Sequence, residues 1–148
     1  MNQTPQLINL PKFLDPRGNL TFIEEDTHLP FKIRRVYWIY DVPGGEHRGG
    51  HAFCETEELI VALSGSFDVV LHDGQKEHRF QLNRSYYGVF VPKMMWRMLE
   101  NFSTNSLALI IASTDYAEED YIRSFDDFKA AVGRCWRASS FSRWHSLR

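Results

Sequence analysis

Residues 45–65 read Gly45-Glu46-His47-Arg48-Gly49-Gly50-His51-Ala52-Phe53-Cys54-Glu55-Thr56-Glu57-Glu58-Leu59-Ile60-Val61-Ala62-Leu63-Ser64-Gly65. A turn-rich run (Pro43, Gly44, Gly45, Gly49, Gly50) delivers His51 onto an extended segment. Glu58 to Leu63 follows as an apolar strand, Ser64-Gly65-Ser66 turns it, and Phe67 to Leu71 reads as the returning strand, closed by Asp73-Gly74. Two apolar, β-branched runs joined by a short glycine turn predict a hairpin. Side chains alternate faces along a strand, so a histidine and a carboxylate at the hairpin entrance can point into a barrel.

The rest of the chain has the same texture. Leu7 to Leu10 predicts a short edge strand, Asp15-Pro16-Arg17-Gly18-Asn19 a turn, and Leu20 to Glu24 a strand. Arg34 to Val42 is the strongest β segment, dense in aromatic and β-branched residues. One of its faces carries Arg35, Tyr37 and Ile39, the other Arg34, Val36, Trp38 and Tyr40. Both are bulky, which predicts a central strand or one with a ligand on one side. Glu77 to Leu82, Gly88 to Val91, Trp96 to Phe102 and Leu107 to Ser113 read as further strands. One helical pattern runs from Glu118 to Val132, with Tyr121, Ile122, Phe125, Phe128 and Val132 near helical spacing. Many short strands with one late helix predict an all-β sandwich or jelly-roll barrel.

The chain has 148 residues, 43% of them hydrophobic, which suits one domain around one core. The expected division is a single domain over 1–128 and a basic tail over 129–148. That tail holds Lys129, Arg134, Arg137, Arg143 and Arg148 and no acid. No apolar run approaches the ~20 residues of a membrane span, and the polar start predicts a cytoplasmic protein. Cys54 and Cys135 lack metal-type spacing and are read as reduced thiols. A net charge of −2 gives no electrostatic case for nucleic acid. No phosphate-binding glycine loop precedes a helix, and no nucleophile elbow is present.

The spacing of Gly45, His51, Glu58 and Gly65 resembles the first motif of the cupin superfamily, with Phe53 at the second histidine position. Gly88, Pro92 and Asn101 resemble the second motif, with Met94 at the small residue and Arg97 at the histidine. The resemblance implies a cupin barrel without its usual metal, because two of the expected ligand positions are Phe53 and Arg97. An arginine there repels a cation and favours an anionic substrate. His51 is a candidate for proton transfer near neutral pH, against a structural histidine in the barrel wall. Arginine recognises phosphate through paired donors, and Arg48 and Arg97 stand out in the set Arg17, Arg34, Arg35, Arg48, Arg97 and Arg123. Tyr37, Trp38, Tyr40, Tyr86, Tyr87 and Trp96 are aromatic candidates for stacking on a sugar or base. Glu58 is either a partner for His51 or hydrogen-bonded wall.

Several longer stretches carry a narrower resemblance: Asp15 to Leu20, Arg35 to Pro43, Arg48 to Ala52, Leu63 to Ser66, Leu99 to Ser103 and Asp120 to Phe128. Together they resemble the dTDP-sugar 3,4-ketoisomerases and the related WxcM-like C-terminal domains, which are RmlC-like cupins. The resemblance implies a metal-free jelly roll with a C-terminal helix, a homodimer often formed with strand exchange, and a dTDP-linked sugar in the barrel mouth. It implies an isomerase of deoxysugar and surface-polysaccharide biosynthesis. That enzyme moves the keto group of a dTDP-4-keto-6-deoxyhexose from C4 to C3 through an enediol, without redox cofactor. His51 matches the family's general base and Tyr37 is the implied hydrogen-bonding or acid group. Arg48, Arg97 and Arg123 are implied anion or sugar contacts, with Glu58 and Trp96 beside them. The family's His-Ala-His is here His51-Ala52-Phe53, and Phe53 cannot shuttle a proton. Tyr37, His47 or a water then supplies the second transfer, or the reaction differs. An epimerase on a similar nucleotide sugar and a non-catalytic cupin binding one are the alternatives.

Overall fold

The computed structural model describes residues 3–134. Its strands are β1 (Gln6–Asn9), β2 (Lys12–Phe13), β3 (Leu20–Thr21), β4 (Arg35–Tyr40), β5 (Arg48–Phe53), β6 (Glu58–Ser64), β7 (Phe67–His72), β8 (Glu77–Leu82), β9 (Tyr87–Val91), β10 (Trp96–Glu100), β11 (Leu107–Ala112) and β12 (Tyr121–Ile122). One sheet runs β1-β9-β6-β11-β4, a second runs β12-β5-β10-β7-β8, and β2 and β3 form a separate ribbon. A helix follows over residues 125–134. All pairings are antiparallel. Ile60, Val89 and Ile110 of the first sheet bury against Phe67, Val69, Leu71 and Leu99 of the second. Burying each such side chain stabilises by roughly 1.5–3 kcal/mol. This is the jelly roll that the strand pattern predicts.

The run Glu58 to Leu71 is not a hairpin. β6 pairs with β9 and β11 in one sheet, whereas β7 pairs with β8 and β10 in the other. Ser64-Gly65-Ser66 is therefore a corner between sheets. Gly65 has φ +66°, and a Cβ there would lie 2.5 Å from Ser103 Oγ and 2.7 Å from Ser106 Cα. β6 reads as continuously apolar because it is covered on both faces. Ile60 enters the barrel core, while Leu59 and Val61 join Leu10, Leu29 and Ile111 in a second cluster. The hairpin lies one step later, where Asp73-Gly74 joins β7 to β8.

Two other expectations change. β4 is an edge strand rather than a central one. Its inner face points Tyr37 and Ile39 at the core, and its outer face exposes Val36, Trp38 and Tyr40. The helical pattern from Glu118 also breaks. Glu118–Asp120 form one 3-10 turn, Tyr121–Ile122 pair with Phe53 and Ala52 of β5, and the helix starts only at 125. Sheet pairing overrides local propensity here, and the Ser124 hydroxyl accepts a hydrogen bond from the Asp127 amide at 3.3 Å to cap the new start. The helix continues across the expected boundary at 128. Of the basic segment, residues 135–148, and Cys135 with them, lie outside the described residues.

Candidate active site

The site is built where β4, β5, β6 and β10 converge at one end of the barrel. Arg97 of β10 is directly opposite His51 of β5, and the register then shifts so that Met98 faces Gly49. Gly50 is the extra residue of this bulge. Gly49 (φ +97°) and Gly50 (φ +71°) take left-handed backbone, and a Cβ on Gly49 would lie 3.2 Å from Arg97 Nη1. The glycine pair ahead of His51 thus does two things: it bends β5, and it leaves room for a guanidinium.

Arg97 is 2% exposed and Glu58 fully buried. Arg97 Nε donates to Glu58 Oε1 at 2.8 Å, and Nη2 donates to Glu58 Oε2 at 3.1 Å. Nη2 also donates to Tyr37 Oη at 2.7 Å, while the Tyr37 hydroxyl donates to Glu58 Oε2 at 2.7 Å. Burial opposes the charge on Arg97, but Glu58 and Tyr37 outweigh it and the net shift of its pKa is upward. Burial pushes the Tyr37 hydroxyl well above the ordinary phenol value. The result is a fixed cation with one donor, Nη1, buried and without a hydrogen-bond partner.

His51 is 9% exposed and its Nε2 also has no partner. The ring is hydrogen-bonded to the Gly49 backbone, which leaves Nδ1 as the bonded nitrogen and gives Nε2 the lone pair. Burial, then the charges of Arg97, Arg123 and Arg35, push its pKa down to about 3, so the imidazole is neutral. Phe53 packs edge-on at 4.8 Å between ring centroids, and Tyr121 lies 4.9 Å from His51 and 4.7 Å from Phe53. Tyr121 is held there by its neighbour. Asp120 accepts from the Glu55 amide at 2.7 Å and from the Thr56 hydroxyl, and its carbonyl accepts from the Cys54 amide at 3.0 Å.

His51, Tyr37, Glu58 and Arg97 are thus brought together, with Glu58 partnering Arg97 rather than His51. Arg123 is at the rim. It covers the Tyr121 ring at 4.4 Å and pairs with Glu118 at 2.9 Å. Arg48 is exposed at the start of β5 and does not contact these residues. Trp96 is on the other face of β10 from Arg97, against Phe125 at 5.4 Å and Phe128 at 6.0 Å, because neighbouring strand positions point opposite ways. The Trp96 expectation is corrected accordingly: it is helix packing, outside the barrel mouth. His47 pairs with Glu100 at 3.3 Å and is likewise on the outside. Met94, at the motif's small position, keeps the left-handed backbone with φ +58°, and its amide donates to the Phe53 carbonyl at 2.7 Å.

Of two further site residues, Arg35 belongs to the arginine set that the sequence singles out, and Tyr121 escaped the sequence reading. Arg35 covers Tyr37 at 5.4 Å and Tyr116 at 5.7 Å, with a buried, unpartnered Nε. Its alternation with Tyr37 along β4 was the available signal. Tyr121 gave none, since the helical pattern hid its pairing with β5.

A neutral imidazole with a free lone pair beside a fixed guanidinium suits one chemistry. It can take a proton from carbon while a cation stabilises the oxygen that gains charge. Among the described residues no three His, Cys, Asp or Glu side chains converge as a cation site. The fold and site define a cupin barrel of the proton-transfer kind. Comparison with known proteins narrows this class. Residues 3–133 match the model of the FdtA family, described as WxcM-like, C-terminal. The chain is 39% identical over 129 residues to the TDP-4-oxo-6-deoxy-alpha-D-glucose-3,4-oxoisomerase of Aneurinibacillus thermoaerophilus, covering 87% of this chain and 93% of that one. A 3,4-ketoisomerase from Helicobacter canadensis superposes with TM-score 0.86 at 37% identity, covering 89% of this chain and 99% of that one. QdtA, a sugar 3,4-ketoisomerase from Thermoanaerobacterium thermosaccharolyticum solved with TDP, superposes with TM-score 0.86 at 30% identity, covering 90% and 98%. The chain belongs to the FdtA family of WxcM-like C-terminal domains.

Proposed function

We propose that this protein is a cytoplasmic nucleotide-sugar isomerase that moves the keto group of a dTDP-4-keto-6-deoxyhexose from C4 to C3, in deoxysugar biosynthesis. The observation that carries the mechanism is the pair of buried, unpartnered nitrogens, His51 Nε2 and Arg97 Nη1. The C3 hydrogen is acidic because it neighbours the C4 ketone. His51 Nε2 removes it, and Arg97 Nη1 hydrogen-bonds the C4 oxygen as charge develops there. Tyr37 and Glu58 hold the guanidinium in place, which avoids reorganisation during the reaction. His51 then returns the proton at C4. Arg35 and Arg123 at the rim attract the diphosphate, with Arg48 as an outer contact. A bound dianion also offsets two of the cations that depress His51, so the base strengthens when substrate arrives.

We further propose a homodimer through the outer face of the β4 sheet. Val36, Trp38 and Tyr40 are 47%, 58% and 62% exposed there, beside Leu63 at 44%. Trp38 is in register with Leu109 and Val61, so the apolar rows continue across three strands. Such a face on an unpaired edge is a contact surface for a second copy.

The test is incubation with dTDP-4-keto-6-deoxyglucose in deuterated water, followed by proton NMR. Loss of the C3 proton signal with appearance of a 3-keto sugar is the expected result. Exchange with inversion and no keto migration points to the epimerase alternative. Binding without exchange points to a non-catalytic sugar-nucleotide cupin.

A further inference from the structure

Moving a ketone from C4 to C3 requires two kinds of proton transfer. One proton leaves C3 and one arrives at C4; a second must reach the C4 oxygen and leave the C3 oxygen. His51 accounts for the carbon protons. The groups expected to handle the oxygens are otherwise engaged. Phe53 has no proton to give. His47 is bound to Glu100 outside the barrel. The Tyr37 proton is directed at Glu58, its oxygen accepts from Arg97, and burial opposes its ionisation.

Tyr121 is different. Its ring touches both His51 and Phe53, at 4.9 and 4.7 Å between centroids. Its hydroxyl makes no hydrogen bond with the described residues, and lies near enough to the Tyr37 hydroxyl to raise that group's pKa. Arg123 stacks on the ring at 4.4 Å and fixes its orientation. Asp120 fixes the backbone one residue before it.

We propose that the Tyr121 hydroxyl carries the oxygen-side proton, the transfer that Phe53 cannot make. This rests on the ketoisomerase reading and deepens it. In the first half, His51 Nε2 takes the C3 proton, and the C–H electrons form the C3=C4 double bond. The carbonyl π electrons move to the C4 oxygen, which takes the Tyr121 proton. The products are a neutral enediol, an imidazolium and a phenolate. In the second half, the phenolate takes the proton of the C3 hydroxyl, and those O–H electrons form the C3 carbonyl. The double-bond electrons take the proton from His51 onto C4. Both side chains end as they began, and no outside oxidant or acid is consumed.

The test separates exchange from migration. Tyr121→Phe keeps the ring that packs on Phe53 and removes only the hydroxyl. In deuterated water it should lower 3-keto product formation by ~10²–10³-fold, the usual share of a positioned acid–base group. C3 exchange should fall by less than about 10-fold, because His51 and Arg97 still form the enolate. Tyr37→Phe should lower both rates together, since it disturbs Arg97. If Tyr121→Phe lowers exchange and migration equally, Tyr121 only places His51 and the proposal fails. It also fails if Tyr37→Phe is the variant that separates the two rates. A wild-type chain that neither exchanges nor isomerises overturns the ketoisomerase reading itself, a result distinguishable from either.

Discussion

Replacing Glu58 by glutamine keeps the side-chain volume and removes the carboxylate that pairs with Arg97. At 2.8 Å and an effective dielectric constant of about 20, the lost attraction is about 6 kcal/mol. Desolvation of both ions cancels much of it in the intact pair, so the net worth of the bridge is small. The single variant is another matter, because it leaves a guanidinium 2% exposed with no counter-ion among the described residues. Breaking one side of a buried pair costs roughly 3–5 kcal/mol. For a chain of this size each kcal/mol moves the melting temperature by about 2–4 °C, so Glu58→Gln should melt roughly 6–20 °C lower. Arg34→Ala, which breaks an exposed pair with Asp115, should cost no more than about 1 kcal/mol. The double variant Glu58→Gln/Arg97→Met should recover part of the loss, because no unpaired charge remains. Thermal denaturation at one fixed protein concentration reads all three, and fixing it matters for the proposed dimer. A Glu58→Gln protein that melts within 2–3 °C of wild type, on the same scale, would refute the buried-cation argument. So would a double variant that is worse than either single.

Other expectations are more compact. His51 binds its proton more weakly in the folded protein than in the unfolded chain, with a pKa near 3 against about 6.5. Between those values the unfolded state holds more protons, so this contribution is present at neutral pH and lost as pH falls through that window. His51→Asn should therefore show a shallower decline of melting temperature between pH 7 and pH 4, together with loss of turnover; identical slopes would remove the buried neutral imidazole from the account. Gly49→Ala forces a Cβ to 3.1 Å from the Arg97 carbonyl at φ +97°, and should cost about 1–3 kcal/mol and most activity, whereas Gly44→Ala meets nothing within 4 Å and should be near neutral. Trp38→Arg should convert the proposed dimer to monomer in sedimentation velocity without lowering the thermal stability of the protomer's barrel. Activity should survive prolonged chelation, and inhibition by a chelator that added metal reverses would contradict proton transfer by side chains alone.

The sequence by itself determined the class of fold and nominated His51 as the proposed base. Period-2 alternation marks the strands, and it separates Tyr37 from Trp38 as opposite faces of β4. Motif spacing marks His51, and Phe53 and Arg97 at ligand positions argue against a metal. These are local properties, set by side-chain type and by the two-residue repeat of an extended backbone. Partnership was not local. Whether Ser64-Gly65-Ser66 closes a hairpin or turns a corner depends on β9, β10 and β11, which come later in the chain. The Tyr121 segment has helical spacing, and only the free edge of β5 draws it into a strand. The donor state of the site is also tertiary. Tyr37, Glu58 and Arg97 are up to 60 residues apart, and only their closure in space decides that Arg97 Nη1 is left over. Burial then sets the charge of each group, because removing water penalises ions in proportion to what surrounds them. A sequence can nominate an imidazole and an arginine; the packed barrel decides that the first is neutral, the second charged, and each has one atom to spare.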